Sequence, residues 1–139
     1  MASIQLSESP DIVTLRIARG GPALPVMRVL MGGMASRHDL PLDRLDDLQL
    51  AVEALLAEES ETGNELVLEL STSADRFRVR LEGLENRSVK AALLATDPFR
   101  PCQDCLLDVR LFLDSLVESY RVIETATDAF AVEMEKQAS

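Results

Sequence analysis

The sequence predicts an α+β fold: a two-layer sandwich with helices on one face of a mixed, mostly antiparallel sheet. Three observations carry this expectation. The chain has 139 residues, which fits a single domain spanning 1–139 and allows a proper core without staples. The apolar period is near 3.6 between Leu24 and Glu59, then switches to 2 between Glu65 and Leu81. Helical and extended patterns come in blocks, in the order β-α-α-β-β-α-α-β-β, which suits helices layered on antiparallel hairpins.

Asp11 to Ala18 is rich in β-branched residues and reads as a strand ended by Gly20-Gly21. Leu24 to Arg37 places Met27, Leu30, Met31 and Met34 at helical spacing, although Gly32-Gly33 weakens a helix by about 1 kcal/mol each relative to Ala. A second helix has Pro41 in its first turn, with Asp43, Asp46 and Asp47 suited to the positive end of its dipole. Leu45, Leu48, Val52, Leu55 and Leu56 form its apolar face, to about Glu59. Glu65–Ser71 alternates apolar with acidic residues, and Phe77–Leu81 alternates apolar with basic ones. They predict a hairpin around 71–75 with one wet face, where Glu69 can meet Arg78 or Arg80. Ser88–Ala95 is a short helix candidate, and Asp97-Pro98-Phe99-Arg100-Pro101 breaks the chain. Leu106–Tyr120 reads as a helix with Leu106, Val109, Leu113, Leu116 and Val117 on one side. Arg121–Thr125 and Phe130–Glu135 read as a hairpin around Ala126-Thr127-Asp128.

Hydrophobic residues make up 47% and charged residues 27%, which excludes a disordered chain. Aromatics are 4% with no Trp, so packing falls to Leu, Val, Ala and Met. Acidic residues outnumber basic ones 24 to 14, a net charge of −10. That field repels phosphate backbones and anionic bilayers, so neither nucleic acid nor membrane is expected as a partner. The N-terminus lacks a basic n-region and an apolar h-region, and no apolar run nears the ~18 residues of a spanning helix. A cytoplasmic location is the default expectation.

The segment Leu45-Asp46-Asp47-Leu48-Gln49-Leu50-Ala51-Val52-Glu53 and the stretch Leu113-Asp114-Ser115-Leu116-Val117-Glu118 resemble the second and last helices of the histidine-kinase-like ATPase fold. The branch resembled is that of bacterial anti-sigma factors that are also serine kinases. The resemblance covers nearly the whole chain in element order and about fifteen residues in sequence. It implies a Glu at position 53 followed one turn later by an Asn that helps hold magnesium and phosphate. Here Ala57 stands in that place, and a methyl group cannot ligate Mg²⁺. It implies an adenine-reading Asp after the central hairpin. Leu81 falls there, and of the glycines that follow only Gly83 survives. It implies a glycine-rich lid whose amides cradle phosphates, but Cys105-Leu106-Leu107-Asp108-Val109 has no glycine. With three parts of one nucleotide site missing, ATP binding and phosphoryl transfer are expected to be lost.

Each candidate residue has a plainer alternative. Glu53 can be a general base or a boundary residue, and a base without metal or phosphate has no partner chemistry. Cys102 and Cys105 form a CxxC at a helix start, where the dipole favours thiolates. Two thiols and the lone His38 fall short of four zinc ligands, so incidental packing is the simpler account. His38 suits the C-terminal end of the first helix. Met27, Met31 and Met34 are either core or an adaptable contact surface, and the resembled family uses this region for partner contacts. Glu58, Glu59 and Glu61 oppose the dipole at the end of the second helix and are expected to form a solvated, fraying end, or else an acidic patch for a basic partner.

No residue is therefore assigned a catalytic, cofactor-binding or metal-binding role. The expected function is that of a noncatalytic anti-sigma-type regulator acting by binding a partner. By resemblance the partner is a sigma factor or a small antagonist protein, with homodimerisation also anticipated. The alternatives are an ATP-binding anti-sigma serine/threonine kinase, and a thiol redox or metal switch through Cys102 and Cys105.

Overall fold

The computed structural model describes residues 2–6, 12–95 and 107–138. Ten elements follow in order: β1 (Ser3–Leu6), β2 (Ile12–Ile17), α1 (Ala23–Arg37), α2 (Leu42–Ala57), β3 (Leu66–Ser73), β4 (Arg76–Leu84), α3 (Arg87–Leu94), α4 (Leu107–Leu116), β5 (Ser119–Ala126) and β6 (Ala129–Gln137). The six strands form one sheet in the order β1-β2-β3-β4-β6-β5, and every neighbouring pair is antiparallel. The α+β class expected from the sequence is the class observed.

Alternation along the strands decides which face is dry. In β3, Leu66, Leu68 and Leu70 are buried, and their cross-strand partners in β4, Val79 and Leu81, are buried with them. β2 adds Val13, Leu15 and Ile17 to the same face, and β6 adds Phe130, Val132 and Met134. Against this face α2 lays Leu45, Leu48, Ala51, Val52 and Leu55. α1 lays Met27, Met31 and Met34, all buried, so the methionine stripe is core. Its burial holds α1 helical through Gly32-Gly33, because tertiary packing outweighs roughly 2 kcal/mol of propensity.

The opposite face is wet and laced with ion pairs. Arg78 meets Glu135 at 2.5 Å, and Arg121 meets Glu133 at 3.0 Å. Glu69 stands directly opposite Arg80 in the register. Arg80 turns instead to Glu82 at 2.6 Å and toward Glu133 at 3.9 Å, because β6 offers a second row of carboxylates on its other side.

Three elements depart from the sequence expectation. β1 was not anticipated; four residues are too few to show a period. Pro41 lies just before α2 as its N-cap, with ψ 146°, rather than inside the first turn. α4 ends at Leu116 instead of Tyr120, because Ser119 and Tyr120 pair with Glu135 and Met134 and belong to β5.

Candidate functional site

A concavity of about 380 Å³ opens at one end of the sheet. There β2 leaves through Arg19-Gly20-Gly21, α2 runs out and β3 begins. Arg19, Glu53, Ala57, Glu59, Glu61 and Leu66 are among the residues that line it. The sequence brings these elements together through one buried arginine.

Arg19 is the last polar residue before the glycine turn, and its side chain is 2% exposed. A buried guanidinium has five N–H donors to satisfy. Its Nε donates to the Asn64 carbonyl at 2.7 Å. Nη1 donates to Glu59 Oε1 at 2.7 Å and to the Ser60 carbonyl at 3.2 Å. Nη2 donates to the Gly83 carbonyl and meets Glu85 Oε2 at 2.9 Å. Glu59, 4% exposed in its side chain, also accepts the backbone N–H groups of Glu85 and Asn86, each at 2.9 Å. Asn86 donates its side-chain amide to the Glu58 carbonyl at 2.7 Å and caps α3 by accepting from the N–H groups of Ser88 and Val89. One polar knot therefore ties the ends of β2, α2 and β4 to the start of α3.

This corrects the expectation for Glu59. It is not part of a fraying, solvated end; its charge is matched by Arg19 and two backbone donors, which makes burial affordable. Glu61 is exposed as expected, and Glu58 forms the C-cap of α2. Sequence reasoning passed over Arg19, Glu85 and Asn86. Only Asn86 carried a readable signal, as a helix-capping residue type just ahead of Ser88.

Glu53 and Ala57 lie one turn apart on α2 and both line the cleft. The Glu53 carboxylate is ion-paired with Arg28 of α1, and Gln49 donates to the Arg28 carbonyl at 3.1 Å. Leu81 is fully buried on the helix-facing side of β4. Gly83 has φ +91°, and a Cβ there would stand inside van der Waals contact with the Glu65 backbone oxygen. The β-bulge between Glu82 and Leu84 thus accounts for glycine at 83 without any ligand. His38 is the C-cap of α1, where its backbone N–H bonds the carbonyls of Met34 and Ala35. Cys102 and Cys105, and with them the start of the lid-like stretch, lie outside the described residues.

The shifted titrations lie away from the cleft. The Arg78 guanidinium, hydrogen-bonded to Glu135, holds that carboxyl below the usual carboxylate range. Lys90 does the same for Glu124. Burial, helped by nearby Asp114, pushes the Tyr120 phenol up.

No family model matches the chain, and no curated protein matches it. Twelve chains of solved structures do match. One belongs to the crystal structure of the SiaB–SiaC complex from Pseudomonas aeruginosa, with a TM-score of 0.51 and 8% identity, over 88% of this chain and 88% of that one. At that identity the likeness is one of fold. No helix among the described residues is long and apolar enough to cross a membrane.

Proposed function

We propose that this domain is a noncatalytic regulator that acts by binding a partner protein. It would do so in the manner of an anti-sigma factor, on a histidine-kinase-like scaffold that no longer uses ATP. The observation that carries this is the chemistry of the cleft walls. Glu53 is engaged by Arg28, Glu59 is enclosed by Arg19 and backbone N–H groups, and Ala57 presents a methyl group. A general base needs a free lone pair and a substrate proton within reach, and a magnesium site needs hard oxygen ligands. Of the carboxylates lining the cleft, Glu53 and Glu59 are engaged in this way, and exposed Glu61 has neither an amide at position 57 nor a second free carboxylate beside it to complete a magnesium site. The likeness in fold to a chain from a two-protein complex supports partner binding.

By resemblance the partner is a sigma factor or a small antagonist protein in the cytoplasm. Affinity capture with the purified domain from its native host, read by mass spectrometry, tests this. Recovery of such a protein, equal with and without added nucleotide, is the expected result. Recovery that requires ATP would overturn the noncatalytic account, and recovery of no protein of that class would overturn the anti-sigma account.

A further inference from the structure

We infer that the outer faces of α2 and α4 form one docking surface whose occupant is a basic amphipathic helix of the partner protein. This deepens the proposed function and rests on its claim that the domain works by binding a protein.

The large apolar side chains left exposed on these two helices are Leu42 and Leu50 of α2, at 71% and 49%, and Leu111 and Phe112 of α4, at 48% and 52%. They share one surface because α2 packs on α4. Arg44 lies 4.0 Å from Glu118, and Lys136 binds both Asp47, at 2.9 Å, and the Leu116 carbonyl, at 2.6 Å. Residue numbers rise along α2 as they fall along α4, so the helices run antiparallel. One more turn along each brings Leu50 level with Phe112. Val109, Leu113 and Val117 are buried in the core, and Asp114 stands beside Tyr120 of β5. Helical spacing then leaves Phe112 on the flank toward α2 and turns Leu111 outward.

Charge selects the occupant. Leu42, Asp46 and Leu50 follow one another at four-residue spacing on the outside of α2. Asp43 and Asp46 are exposed, and neither carboxylate has a partner among the described residues. Residues 39–50 carry four aspartates against one arginine. An apolar strip edged by free carboxylates repels a second copy of itself, a phosphate backbone and an anionic bilayer alike. It complements a surface on which Lys or Arg flanks apolar anchors. The arginines on the open face of the sheet differ, because Arg78, Arg80 and Arg121 are already paired with Glu135, Glu82 and Glu133.

Shape selects a helix. Leu42 and Leu50 are about 12 Å apart along α2, which matches anchors two turns apart on a partner helix. The seam between two packed helices accepts the ridge of a third.

The probes are a synthetic peptide of about 18 residues, with Leu on one helical face and Lys on the other, and its counterpart with Glu for Lys. Each is titrated into the isotope-labelled domain and followed by amide chemical shifts. The Lys peptide is expected to shift residues 42–50 and 109–116, and the Glu peptide none. Asp46→Lys and Leu50→Ser are each expected to weaken Lys-peptide binding at least about tenfold with unchanged circular dichroism. Glu61→Lys, the same change of charge on an exposed residue beside the cleft, is expected to alter it less than about twofold. Absence of binding overturns the inference. So do shifts centred on residues 58–65 or spread over the whole surface, or an affinity lost equally in Glu61→Lys. The natural partner separates this claim from the proposed function. A sigma factor or antagonist captured as well by Leu50→Ser as by wild type overturns this surface and leaves the proposed function standing. Capture of neither overturns the proposed function, and the peptide map still decides the surface.

Discussion

Arg19 and Glu59, forty residues apart in the chain, meet in a 2.7 Å ion pair whose side chains are 2% and 4% exposed. The pair lines the cleft and satisfies backbone groups at the junctions of β2, α2, β4 and α3. Its removal is therefore a test of architecture rather than of chemistry.

Glu59→Gln is expected to cost about 3 kcal/mol, the low end for a broken buried pair, because it leaves the buried Arg19 guanidinium with only the part-exposed Glu85 carboxylate as counter-charge. Glu61→Gln, on the exposed neighbour, should stay within about 0.5 kcal/mol of wild type. Urea unfolding of both variants measures the contrast. Equal, small losses would mean that the knot is dispensable.

The Arg78–Glu135 pair on the wet face gives a pH dependence of known sign. Glu135 titrates below its unfolded value of 4.5 because it accepts hydrogen bonds from Arg78. Its stabilising contribution is thus fully present above pH 4.5 and is lost as the pH falls through the lower, folded value. Arg78 is 41% exposed, so the pair contributes at most about 1 kcal/mol. Glu135→Gln should flatten the acid limb of a stability–pH profile by that amount, and an unchanged acid limb would contradict the assignment.

Two glycine substitutions are expected to act in opposite directions. Gly83→Ala forces a side chain into φ +91° and against the Glu65 backbone, with a loss of about 1–3 kcal/mol or more. Gly33→Ala adds a methyl group in open space on α1 and should stabilise by about 1 kcal/mol. Thermal melts of the two variants decide the matter; a Gly83→Ala melt at or above that of wild type would show that the bulge at Gly83 is not under constraint.

The sequence revealed the elements whose pattern is long. Sixteen residues of α2 with an apolar face, and the alternating β3–β4 hairpin, were legible from periodicity alone. β1 was not, since four residues carry no period, and the end of α4 was misjudged because Ser119 and Tyr120 are claimed by pairing with β6. The candidate site was only half legible. Glu53 and Ala57 stand one turn apart, and that spacing places them together. Arg19 and Glu59 are joined by three-dimensional closure, which leaves no mark in local pattern, and an acid at a helix C-terminus reads as solvated until its partner is seen.

The central claim, that the cleft beside Glu53 and Ala57 no longer serves a nucleotide, is tested most directly by the melting temperature with and without millimolar Mg-ATP. Ligand at about a hundredfold excess over its Kd stabilises the native state by about 2.7 kcal/mol, several degrees for a domain of this size. The account predicts superimposable melts. A saturable rise of several degrees, abolished by Glu53→Ala, would contradict it.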